Sequence, residues 1–164
     1  MTIEEAIEAA LFGAARDLTV FGSARKAWPN VTFSPPAGEP YLRVSLLPNS
    51  GQRFFIKGTD PQLYLGILQL TVVSPLNQGS SVATRLAGEV ASEFPADRAL
   101  YEDGVKVRIE RAPDVGQAFP NDATWVVPVS IRYECFESTV SHSSYTPGLN
   151  FDDPQNSQYV VLLF

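Results

Sequence analysis

The chain has one cysteine and one histidine in 164 residues, and each scarcity removes a class of function. A lone Cys135 excludes an intrachain disulfide framework. With a single histidine, every histidine-based mechanism must run through His142, which lies in the polar stretch Ser141-His142-Ser143-Ser144. That setting lacks the rigid partners a serine triad needs. No apolar run approaches the ~18 residues of a membrane span. No GxGxxG or GxxxxGK[ST] loop is present, so nucleotide binding has no support. Charged residues make up 18%, below the usual ~25% of soluble domains. The shortfall leaves more neutral surface than a solitary monomer normally carries, and it points to assembly. Basic residues are outnumbered, with 12 Lys and Arg against 18 Asp and Glu and a net charge of −6. A nucleic-acid-binding face spread over the whole protein would be basic instead. The first residues, Met1-Thr2-Ile3-Glu4-Glu5, are acidic where a targeting segment would be basic.

What is present supplies one core: 45% of residues are hydrophobic and 11% aromatic. The chain is organised around Tyr64–Pro95. Leu65–Val73 is rich in β-branched and aliphatic residues and predicts a buried strand, ended by Ser74-Pro75. After a polar loop at Asn77–Ser80, with Ser80 or Ser81 as N-cap, apolar residues at Val82, Leu86, Val90 and Phe94 form one helical stripe. Ala83, Ala87 and Ala91 flank it, and Pro95 ends the pattern. Nothing in this unit is catalytic.

At the start of the chain, Thr2 and Glu5 make a capping box before Ile3, Ala6, Ile7, Ala10, Leu11 and Ala14, which predicts a helix to Ala15 or Arg16. Asp17–Glu39 reads as an extended arm with a short strand at Val31–Phe33. Tyr41–Leu47 alternates, with Leu42, Val44 and Leu46 on one face. The following connection, about fifteen residues long, exceeds a plain hairpin turn. Its apolar centre, Phe54-Phe55-Ile56, predicts a protruding hairpin arm that contacts something. Asp97–Asp103 reads as a polar connection, Val105–Ile109 as a half-buried strand and Ala112–Asp122 as a loop. Ala123–Phe136 is the strongest strand, with Trp125, Val127, Val129, Ile131, Tyr133 and Cys135 facing one way. Pro128 has the opposite parity, which suits an edge or a bulge. Glu137–Gln158 is polar and aperiodic, and then comes Tyr159-Val160-Val161-Leu162-Leu163-Phe164, a segment suited to docking as a strand.

The order helix, two antiparallel strands, helix, two antiparallel strands, extension places the fold in the α+β class. The expectation is a mainly antiparallel sheet with two helices packed on one face, a long hairpin arm and a C-terminal extension. Catalytic readings are weak. Alternation turns Cys135 into the core beside Tyr133, where a thiol is inert and no dyad with His142 forms. Asp152-Asp153 with Asp60 or Glu137 lacks the spacing of a cation-binding loop. Trp28 and Trp125 read as core or interface aromatics. The expectation is a protein that is not an enzyme, with no cofactor and no metal.

Several stretches together carry a resemblance: Trp28-Pro29-Asn30, Gly38–Val44, Gly66-Ile67-Leu68-Gln69-Leu70, Pro75–Gly79 and Trp125–Val129. They resemble the tail terminator proteins of long-tailed phages, small minor tail proteins with the lambda-type terminator fold. The similarity covers residues 1–136, leaving 137–164 as an extended arm that ends in an apolar strand. The resemblance implies a hexameric ring that caps the tail tube and joins it to the head-side connector. It would be assembled in the host cytoplasm and sit at the head-proximal end of the virion tail, with genomic DNA passing through without specific binding. A neck or tail-completion protein is a neighbouring alternative, and a small ligand-binding accessory domain is the alternative from another class. A ring needs heterologous contacts between unlike patches. Phe54, Phe55 and Ile56 on the hairpin arm, and Tyr159, Val160, Val161, Leu162, Leu163 and Phe164 on the tail, are the candidate donors. The tail suits strand addition to a neighbour's sheet edge. Glu4, Glu5, Glu102 and Asp103 are acidic candidates for a channel lining that repels phosphate.

Overall fold

The structure is a computed structural model that describes residues 1–49, 51–53 and 61–136. Its first element is helix α1, Ile3–Arg16, opened by the predicted capping box: Glu5 N–H donates to the Thr2 hydroxyl, and Thr2 N–H donates to the Glu5 carboxylate at 2.7 Å. These bonds lower the pKa of Glu5 and satisfy two donors that a bare helix start leaves open. Ala6, Ile7, Ala10, Leu11 and Ala14 are buried, as the periodicity predicts.

Among the described residues eight strands form one sheet: β1 Lys26–Ala27, β2 Tyr41–Pro48, β3 Leu63–Pro75, β4 Ala99–Glu102, β5 Val105–Ile109, β6 Asp114–Val115, β7 Phe119–Asn121 and β8 Thr124–Phe136. The order is β1-β2-β3-β8-β5-β4, with β6 and β7 also pairing to β8. Every pairing is antiparallel except β1 with β2, so the sheet is mixed. β3 and β8 pair over their whole length, from Leu63↔Phe136 to Pro75↔Thr124, and form the spine of the fold. Helix α2, Ser81–Ser92, lies with α1 on one face of the sheet. Between helices and sheet sit Leu68, Leu70, Val72, Val127, Val129 and Ile131, all essentially inaccessible to water. The α+β class and the two helices on one face are as expected. Among the described residues no helix is long and apolar enough to cross a membrane.

Local expectations shift where tertiary packing decides. The buried line of α2 runs through Ala83, Ala87 and Val90 and continues to Phe94, while Val82 is exposed and Leu86 half-buried. Small side chains on the contact line let the helix sit close to β3 and β8. Ser80 precedes α2 without a side-chain cap, because its backbone is already helical (φ −89°, ψ −23°) and does not aim the hydroxyl at the first N–H groups. The short strand of the N-terminal arm is Lys26–Ala27 and not Val31–Phe33; Phe33 instead packs on Tyr41 at 5.0 Å between ring centroids. Asp97–Asp103 contains strand β4, joined to β5 by the two-residue turn Asp103-Gly104, both with positive φ (46° and 77°). This is the turn conformation that matches the twist of a hairpin. Ala112–Asp122 contains β6 and β7, two short strands held by β8.

Pro128 lies inside the sheet, opposite Thr71. Its carbonyl accepts from Gly116 N–H at 2.8 Å, so the side of Pro128 that lacks an N–H faces the break between β6 and β7. No ladder bond to β3 is lost, and an interior proline is tolerated without a bulge. Gly66, the glycine of the Gly66–Leu70 motif, is covered by the ring of its cross-strand partner Tyr133; a Cβ at 66 would come within 2.4 Å of the Tyr133 oxygen. Lys26 is buried, and its ammonium donates to the carbonyls of Arg16 and Leu18, closing the C-terminal end of α1. Burial pulls its pKa down, against the opposing pull of Asp17 and Glu93.

Candidate assembly surface

The two segments singled out for assembly, Phe54-Phe55-Ile56 and Tyr159–Phe164, lie outside the described residues, but their points of departure are described. The β2–β3 ladder continues beyond Pro48: Asn49 N–H donates to the Leu65 carbonyl at 2.9 Å, and Gln52 and Leu63 exchange both backbone bonds at 2.8 and 3.1 Å. On its other side Leu63 is the register partner of Phe136, the last residue of β8. The chain therefore departs toward residues 54–60 and toward residues 137–164 from the same end of the sheet. Leu47 and Phe136, each about half exposed, stand at that end.

Around Leu65–Gln69 and Ser130–Glu134 the sheet face away from the helices is half-buried and mixed in polarity. Arg108 reaches across two strands, donating to Glu134 through Nε at 2.7 Å and to Asp97 through Nη1 at 2.6 Å. The hydrogen bond and charge of Glu134 hold the guanidinium in its charged form. Asp114 accepts from Arg111 at 2.9 Å and lies 3.9 Å from Arg132. Toward the other end of this face, Tyr41, Val73 and Val126 form a small second core under Phe33 and Ala27.

The acidic candidates are solvated. Glu4, Glu5, Glu102 and Asp103 are exposed, and the Glu5 carboxylate is occupied by the Thr2 cap. Cys135 is buried in the main core next to Tyr133, as the alternation predicts. His142, Asp60, Glu137, Asp152 and Asp153 lie outside the described residues. Trp28 is half-buried and packs at a tilt against Phe12, with 5.5 Å between ring centroids, and Trp125 is half-buried on β8.

One feature escapes sequence reading. Strand β1 covers only Leu42 and Arg43 of β2, so pairing on that flank stops before Val44. A groove of about 660 Å³ runs along the uncovered edge, walled by Phe12, Trp28, Pro29, Val31, Phe33 and Pro35. No pattern within Tyr41–Pro48 records which of its flanks is covered. The only hint is the density of aromatic and proline residues in Trp28–Pro36.

Comparison with known proteins gives a consistent result. The family model described as phage tail terminator protein matches residues 2–133. One solved structure is 29% identical. It aligns with a TM-score of 0.67 over 82% of this chain and 96% of its own. A chain from the virion of a native gene transfer agent particle shares the fold at 13% identity, with a TM-score of 0.55 over 83% of this chain and 98% of its own. No curated protein matches in sequence.

Proposed function

The chain belongs to the phage tail terminator protein family, structural components of the phage tail, and from that premise we propose that it closes into a hexameric ring capping the tail tube. The ring sits at the head-proximal end, stops tube growth and offers its far side to the head-side connector. Its role is mechanical, without catalysis or cofactor. The observation that carries the reading is the common departure point of the hairpin arm and the tail beside Leu63. Two apolar segments leaving one end of a rigid sheet give each subunit a donor patch distinct from the rest of its surface, as a heterologous ring contact requires. A net charge of −6 suits a passage through which DNA slides without adhering. Assembly takes place in the host cytoplasm, before the tail joins the head.

Electron microscopy of the purified protein mixed with its tail tube protein tests this. Six-fold rings, or tubes capped at one end, are the expected result. Particles that ignore the tube would overturn the terminator role, and binding to the connector alone would reassign the chain to the neck. Replacing Phe54 and Phe55 by Ser should abolish capping while the melting temperature stays unchanged. A large fall in melting temperature would instead place those side chains in the monomer core.

A further inference from the structure

The uncovered flank of β2 is an acceptor site for a β-strand. Asn49 N–H bonds to β3, and because N–H and C=O of one residue point the same way, odd-numbered residues of β2 face β3 and even-numbered ones face away. Beyond the two-residue cover of β1, this leaves the Val44 carbonyl and both backbone groups of Leu46 directed into the groove, with no backbone partner among the described residues. Pro48 closes the row without offering a donor. Open edges are normally blunted by lysines, inward charges, bulges, prolines or a covering loop. Here Pro48 ends the row and the Trp28–Pro35 wall stands beside it, while Val44-Ser45-Leu46-Leu47 itself carries no lysine, charge or bulge. The charges at the groove are Glu8 and Arg43, one of each sign, and the wall is otherwise dominated by aromatic, proline and aliphatic side chains, with Val31 60% exposed. Such a slot selects an uncharged, extended segment of about five or six residues bearing large apolar side chains.

We propose that the occupant is Tyr159–Phe164 of a neighbouring copy of this chain, added as a strand along Val44–Pro48. The proposal rests on the ring reading and names its subunit contact. The segment Tyr-Val-Val-Leu-Leu-Phe is uncharged and built of strand-forming residues. The chain between Phe136 and Tyr159 sets the reach. Residues 137–158 span at most ~70 Å when extended and about 26 Å root-mean-square as a coil. The chain's own β2 edge lies two strand spacings from β8, roughly 10 Å. A domain of this size is about 35 Å across. The chain's own edge and the next subunit both lie within that reach, and the ring reading, which needs a contact between unlike patches, assigns the strand to the next subunit. The groove also explains why one strand enters and a whole sheet does not: the wall from Trp28 to Pro35 stands beside the edge and keeps a second sheet at a distance.

Cysteine cross-linking tests this with two full-length chains, one carrying Val31→Cys at the exposed groove wall and the other carrying Val160→Cys or Val161→Cys, so that both strand parities are sampled. Mixed under assembly conditions and oxidised, they should give a disulfide-linked species of twice the 17.9 kDa chain. Leu46→Pro, which removes the central N–H, should abolish it. No cross-link from either parity, while six-fold rings still form, would overturn the proposal and leave the ring reading standing. A cross-link without rings would keep the docked strand and sink the ring. A chain carrying both cysteines that closes only onto itself would assign the groove to its own tail and overturn the neighbour contact.

Discussion

The two faces of the β3–β8 spine obey different rules although the same residues alternate between them. Toward the helices, Leu68, Leu70 and Val72 meet Ile131, Val129 and Val127 with no exposed surface worth counting. Toward the other side, Leu65, Ile67 and Gln69 meet Glu134, Arg132 and Ser130, half-buried and tied by ion pairs at the rim. The first face holds the monomer together by burial, which is strong and indifferent to partners. The second gains burial at one end, where Val73 and Val126 pack under Phe33, and little along Leu65–Gln69, because exposed ion pairs are worth little. Burial is thus concentrated on one side of this pair of strands.

The sharpest way to break this contrast is to mutate adjacent residues. Leu70→Ala should destabilise the protein by about 2–5 kcal/mol, and Gln69→Ala by no more than about 0.5 kcal/mol, both read by urea unfolding. Comparable losses at the two sites would erase the distinction between the faces. Next in size is Gly66→Ala, which drives a methyl group into the Tyr133 ring and should cost about 1–3 kcal/mol. Tyr133→Leu should relieve most of that added cost, so a double-mutant cycle will show strong coupling; simple additivity would mean that the ring is not what reserves position 66 for glycine. The smallest effect belongs to Arg108→Ala, which should leave the melting temperature almost where it was, with any residue vanishing at high salt. A large, salt-independent loss there would make the ion-paired face a second source of monomer stability.

The same contrast explains what could be read from the chain. α1 is legible down to its capping box because Thr2, Glu5 and the apolar stripe are all local. β3 and β8 are legible because thirteen residues of alternation or continuous burial leave a clear period. β4, β6 and β7, of four, two and three residues, exist because longer strands hold them, so their own sequences carry little signal. The Asp103-Gly104 turn was the one available pointer to β4. The alanine line of α2 depends on how closely the helix approaches the sheet, a distance set by residues far away in sequence. The acceptor groove is less legible still: an uncovered flank is a property of the sheet and not of the strand that owns it. The hairpin base follows from the turn signal after Pro48, whereas Phe54–Ile56 and Tyr159–Phe164 fall outside the described residues.

The shared departure point beside Leu63 has a geometric consequence. Rotation about a single axis keeps every equivalent point at one height, so in any cyclic assembly of this chain the arm roots trace one circle and the tail roots a second, almost level with it. Such an object has a front and a back, because a single rotation axis does not exchange its two sides. The direction in which such a part is fitted would be written into each subunit before a second one is present.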